Sequence, residues 1–273
     1  MLFRSQGDAY FAMKRLKGTT LHDILRTARK KGGLEHTGWS LRKLLGAFNQ
    51  VCLAVDYAHE HGVVHRDLKP ANLMFGDFGE VYVLDWGLAT MPGATTLPQV
   101  AESEDEPPSS DATPRAARAG DLIGTPGYMS PEQARGKGDG AGPAADIYSL
   151  GTILFELLAL TPLHGDEGAA LRVASTAMGV ADRSPAARAP NRDVAPELDK
   201  LVMHATELEP DDRPSSARDL SRALEAYLDG MRDSELRDKL ARVHVEAAEK
   251  AADEAFDASD DIEAEAHRKR AMH

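Results

Sequence analysis

Apolar residues along this chain fall mostly at helical spacing, with a few short extended runs between. After Ser40, the residues Leu41, Leu44, Leu45, Phe48, Val51, Cys52 and Val55 lie on one face of a 3.6-residue period. Ser40 stands where an N-cap belongs, and Gly62 suits a left-handed stop, so a long amphipathic helix is predicted to end near His61-Gly62. Thr20 to Lys31 predicts a shorter helix with Leu21, Ile24 and Leu25 inward. Ile147, Leu150, Ile153, Leu154, Leu157 and Leu158 predict another across Ala144 to Leu160. Two more are expected at Pro196 to Glu207 and Ser215 to Leu228. Extended pieces are expected at Tyr10 to Met13, Val63-Val64, Leu73 to Phe75 and Val81 to Leu84. Gly76 to Gly79 is turn chemistry that joins the last two as a hairpin. The pattern gives an α+β chain, mainly α.

Two segments break it. Residues 90–120 are rich in Pro, Ser, Ala and acid, with no apolar period, and are expected to be a mobile loop. Residues 231–273 are charged and Ala-rich, and predict an exposed helix with a break at Asp257 to Asp261. Leu236, Leu240 and Val243 make too short a stripe for a coiled coil.

Composition narrows the class. With 32 basic against 44 acidic residues the net charge is −12, which argues against nucleic acid and anionic membrane as partners. The single cysteine, Cys52, rules out an internal disulfide and a cysteine-rich zinc site. The longest apolar stretch, Ile147 to Leu160, is too short to span a bilayer and contains Glu156. No signal peptide is visible at Met1 to Tyr10, so a cytoplasmic location is expected.

The chemistry lies in five ordered motifs. His65-Arg66-Asp67-Leu68-Lys69-Pro70-Ala71-Asn72 places an Asp to face a hydroxyl, a Lys two residues on to reach a phosphate, and an Asn five residues on to turn back to a metal. Asp85-Trp86-Gly87 follows an apolar strand and resembles the D-F-G metal-binding motif, with Trp in place of Phe. Asp77-Phe78-Gly79 has the same shape but lies too close to Asn72 to leave room for the intervening strand pair, and reads as a hairpin turn. Gly124-Thr125-Pro126-Gly127-Tyr128-Met129-Ser130-Pro131-Glu132-Gln133 and Asp146-Ile147-Tyr148-Ser149-Leu150-Gly151 follow, then Arg213-Pro214.

In this order the motifs resemble the large lobe of the eukaryotic-like Ser/Thr protein kinases of bacteria, over roughly residues 10 to 229. The resemblance implies a kinase-like fold and ATP- and Mg2+-dependent phosphoryl transfer to Ser or Thr of a protein substrate. It implies Asp67 and Lys69 as catalytic residues, and Asn72 and Asp85 as holders of Mg2+ and its nucleotide. It makes Phe11 to Leu21 the last small-lobe strand, the hinge and the start of the next helix. Met13 would then be the gatekeeper, the backbones of Lys14 and Leu16 would meet the adenine edge, and Met74 would lie beneath the ring. Asp146 would steady the catalytic loop, Arg213 would pair with Glu132, and Arg66 would receive a phosphate from hydroxyls of the insert.

Before His65 the chain offers no G-x-G-x-x-G and no clear strand Lys. The expected organisation is a small-lobe remnant at 1–18, a large lobe at 19–230 with the insert at 90–120, and a tail at 231–273. The reading frame begins too late, the gene is a fragment, or the lobe works by itself. The first two are favoured, because half a composite cleft holds its nucleotide poorly, so this chain by itself is expected to be inactive. An alternative to catalysis is a non-catalytic docking module, with the tail as a stalk to a sensor or partner.

Overall fold

The computed structural model of the chain describes residues 2–5, 8–11, 15–89, 124–136, 141–165, 168–180, 182–231, 237, 239–246, 265 and 269. Met13, Lys14 and the insert at 90–120 lie outside them. The chain divides into two compact units, Met1–Glu225 and Ala226–His273. The tail boundary expected at 231 falls near this division and not at it.

The first unit opens on an antiparallel pair, β1 (Leu2–Ser5) and β2 (Asp8–Phe11). β1 was not foreseen, and β2 begins ahead of the strand expected from Tyr10. A three-stranded sheet follows, in the order β3 (Thr19–Thr20), β4 (Leu73–Phe75), β5 (Val81–Val83), antiparallel throughout. Gly18 must be glycine here: a Cβ would stand 2.5 Å from the Phe75 carbonyl oxygen. The β4–β5 turn is closed by Gly76 N donating to Glu80 O at 2.8 Å, with Gly79 left-handed at φ 91°. Phe78 at its tip is 94% exposed, so Asp77-Phe78-Gly79 is the hairpin turn and not a metal motif.

α1 (Leu21–Lys31) is capped by Thr20, which accepts from Asp23 N, and buries Leu21, Ile24, Leu25 and Ala28. α2 (Leu41–Glu60) is capped by Ser40 and ends before the left-handed Gly62, and its predicted stripe is buried from Leu44 to Val55, with Leu41 half-buried. α3 (Pro131–Ala134) carries a capping box between Ser130 and Gln133. α4 (Pro143–Ala159) is the axis of the unit, with every residue from Ala145 to Leu160 buried. One inward stripe was expected of it; other elements cover all its sides, which its near-continuous apolar run permits. α5 (Ala169–Met178), α6 (Pro185–Arg188) and α7 (Pro196–Ala205) follow, and residues 217–225 are helical to the end of the unit.

Two contacts position α4. Gly151 lets α7 approach closely: a Cβ there would lie 2.8 Å from the Ala205 Cβ. Arg213, its side chain fully buried, donates to both Glu132 oxygens at 2.9 and 2.8 Å and to the carbonyls of Ala144, Glu207 and Leu208. Burial opposes ionisation of Glu132, but the Arg213 pair outweighs it and holds the carboxyl below its usual range. Removing one partner of such a pair strands the other charge, at about 3–5 kcal/mol.

In the second unit the described residues are helical, with Leu240, Val243 and Val245 exposed. Among the described residues no helix is long and apolar enough to cross a membrane.

Gly151→Val is expected to lower stability by about 1–3 kcal/mol through forced separation of α4 and α7, read as a reduced urea midpoint. His164 gives a pH dependence. It is buried between the Tyr148 hydroxyl (3.0 Å) and the Ser175 hydroxyl (2.9 Å). Burial, then the Arg188 charge, pushes its imidazole down from 6.5 to about 4. The unfolded chain therefore takes up a proton that the folded chain refuses. Stability is full above pH 6.5 and drains as pH falls toward 4, by about 3 kcal/mol. Urea unfolding of His164→Gln across that range should show a flatter loss.

Candidate active site

The loop between α2 and β4 is built on a buried carboxylate. Asp146, in the first turn of α4 and 0% exposed, accepts from His65 N and Arg66 N at 2.8 Å each and bonds the His59 ring nitrogen Nε2 at 2.8 Å. These amides flank a strained residue: Arg66 has φ 67°, in the left-handed region that non-glycine residues avoid. The Gln133 side chain donates to Arg66 O at 2.9 Å, which ties the loop to α3. His65 fixes the other side. Its Nδ1 accepts from Asp67 N at 3.2 Å, so the proton lies on Nε2 and is donated to Leu84 O at 2.9 Å.

Out of this frame come the candidate residues. Asp67 is 8% exposed, and its Oδ2 accepts from Lys69 Nζ at 2.7 Å. The Thr125 hydroxyl donates to Asp67 Oδ1 at 2.6 Å and accepts from Lys69 Nζ at 2.8 Å. Three side chains from two distant segments thus close a ring around one hydroxyl. Asn72, 6% exposed, donates through Nδ2 to Asp67 O at 2.9 Å, which leaves its side-chain oxygen as the acceptor end.

Asp85 stands next to this group through the backbone, since Leu84 N donates to Asn72 O at 2.8 Å. Asp85 is exposed and has φ 61°, a second left-handed residue. Trp86 is anchored beside it: its ring lies 4.6 Å from that of His65, and its indole N–H donates to Val83 O at 3.0 Å. Asp67, Lys69 and Asn72 are therefore in mutual contact, with Asp85 one residue from the backbone bond to Asn72. Leu16 and Met74 are both half-buried, and Met74 lies against the chain at Gly18, opposite Thr20. Lys14 falls outside the described residues, so its expected contact with adenine has no structural account.

The donor set suits a hard cation. Asn72 and Asp85 offer oxygen ligands, and Mg2+ is held by one or two such groups with substrate phosphates completing the shell. Among the described residues no cluster of three or more His, Cys, Asp or Glu could hold a metal independently of substrate.

Residue patterns missed several supporting groups. His59 lies six positions ahead of His65 on the last turn of α2, yet a histidine on a helix carries no sign of a partner 87 residues away. Gln133 and the Trp86 indole were read only as motif letters.

Comparison with known proteins agrees with this geometry. A family model described as protein kinase domain matches residues 1–224. The serine/threonine-protein kinase PknD of Chlamydia muridarum is 34% identical over 247 residues, covering 87% of this chain and 26% of that protein. PknD of Protochlamydia amoebophila is 36% identical over 236 residues, covering 83% of this chain and 23% of the relative. PknD of Chlamydia trachomatis serovar D is 34% identical over 236 residues, with 83% and 24% covered. The chain spans about a quarter of the length of these curated relatives. With the family model running from its first residue to the end of its first compact unit, the chain belongs to the protein kinase family, among the Ser/Thr kinases of bacterial type.

Proposed function

We propose that this chain carries the catalytic lobe of a Ser/Thr protein kinase, which transfers the γ-phosphoryl group of Mg-ATP to a protein hydroxyl. The observation that carries this is the ring of Asp67, Lys69 and Thr125, which already holds one hydroxyl between a carboxylate and an ammonium. A substrate Ser or Thr entering beside Thr125 meets the same two groups. Asp67 orients its hydroxyl and accepts the proton, and Lys69 offsets charge on the transferring phosphate.

Asn72 and Asp85 would hold Mg2+, which would offset negative charge on the phosphates. Asn72 is fixed for this by its bond to Asp67 O, and Asp85 by the left-handed turn and the Trp86 anchor. The backbones of Lys14 and Leu16 would hold the adenine edge, over Met74. Nothing here forms a covalent intermediate; rate comes from position and charge. The partners are ATP and a Ser/Thr-bearing protein, the expected location is the cytoplasm, and the tail would lead to a sensor or partner module. Residues 1–18, 19–230 and 231–273 remain the proposed divisions.

Purified chain, radiolabelled ATP and casein as acceptor test this. Mg-dependent label on Ser or Thr would establish transfer by this chain. Asp67→Asn should lower kcat by about 10²–10⁴-fold with nucleotide affinity retained. Asp85→Ala should remove the Mg-dependent heat of ATP binding in calorimetry. A folded chain that neither binds nor transfers at millimolar ATP would overturn catalysis by this polypeptide and favour the docking platform.

A further inference from the structure

The turn that presents Thr125 to Asp67 is held from below by a group of side chains to which the motifs assign no part. Both Tyr128 N and Met129 N donate to Thr125 O, at 3.0 and 3.1 Å, so residues 125–129 form one tight unit. The Tyr128 hydroxyl donates to Glu156 Oε2 at 2.6 Å, and Tyr128 O accepts from the Ser149 hydroxyl at 2.8 Å. Wherever the Tyr128 ring is held, Thr125 is held with it.

Glu156 sits in the last turn of α4 and is 2% exposed. A carboxylate this buried persists only with strong partners on both oxygens. Oε2 has Tyr128, and Oε1 has the Arg29 guanidinium, which reaches in from α1. Arg29 is itself clamped, since its Nε donates to Leu160 O at 2.8 Å, the carbonyl that ends α4 in a left-handed cap at φ 55°. A cation at a helix C-terminus meets the negative end of the helix dipole, so both bonds pull the guanidinium to one place. A planar fork suits two acceptors set side by side.

We propose that Arg29 is a positioning residue: acting through Glu156 and Tyr128, it sets the turn that holds Thr125 against Asp67 and Lys69, and so the place of the acceptor hydroxyl. This rests on the kinase reading. α1 starts five residues past Leu16, whose backbone is expected to meet adenine. The relay thereby joins the nucleotide side of the lobe to its acceptor side. Without Arg29, the buried Glu156 carboxylate loses its cation and the grip on Tyr128 slackens, while Asp67, Asn72 and Asp85 keep their own supports from Asp146 and His65.

The full chain carries the test, with Arg29→Met, Arg29→Lys and Tyr128→Phe beside wild type. In casein phosphorylation, Arg29→Met and Tyr128→Phe should each raise the acceptor KM about 10-fold, with the KM for ATP unchanged. Arg29→Lys, which restores a cation, should recover most of the loss. A lowered unfolding midpoint with unchanged acceptor KM would overturn positioning and leave Arg29 a purely structural residue. A second readout does not need turnover. Amide hydrogen exchange at Tyr128 and Met129 should quicken in Arg29→Met, while α2 amides stay protected. If wild type transfers no phosphate yet this local exchange quickens, catalysis by this chain fails and the relay stands. If exchange at Tyr128 and Met129 is unchanged, the relay is wrong whatever the activity.

Discussion

Asp146 is the constraint on which the rest of the site depends. It puts a charge at the buried start of the central helix and satisfies it with two loop amides and one histidine ring. Burying a carboxylate is costly unless such donors meet it, so helix and loop cannot separate without stranding it. The same bonds hold Arg66 in a left-handed conformation that would otherwise relax. The chain reverses there, and Asp67 emerges pointing at Thr125 instead of into the core.

From this anchor the site is assembled by bonds that share backbone carbonyls as acceptors. Asn72 is joined to Leu84, His65 to Leu84, and Gln133 to Arg66, so two separate stretches of chain are tied to one loop. The side chains that would do chemistry are the loose ends of that framework. A framework of this kind allows catalysis by position, since groups held within hydrogen-bond distance need little reorganisation when a substrate arrives. Arg213 serves the acceptor end in a similar way, with its guanidinium gathering Glu132 and three carbonyls that would otherwise be buried without donors.

The places where residue patterns succeeded and failed have physical causes. α2 was legible because it is half-buried: its stripe, the Ser40 cap and Gly62 all mark one geometry. α4 was legible as a helix but not as an axis, because burial on every side is a property of its neighbours. α5 was missed: only Thr176 in it is buried, while Leu171 and Met178 lie exposed, so it shows no inward stripe. The turn at Asp77-Phe78-Gly79 was separated from the metal motif by spacing alone, and the exposure of Phe78 bears that out.

The sequence by itself determined which residue types stand at Asp67, Lys69, Asn72, Asp85 and Thr125, in what order, and hence the family and its chemistry. These motifs are local, and their spacing is imposed by reach along the chain. Only the tertiary structure decided what holds them. His59 on Asp146, Gln133 on Arg66, and Arg29 on Glu156 and through it Tyr128 are contacts between segments 67 to 127 residues apart. Such partners are chosen by where a buried polar group needs a donor once the helices have packed, and spacing along the chain carries no record of that.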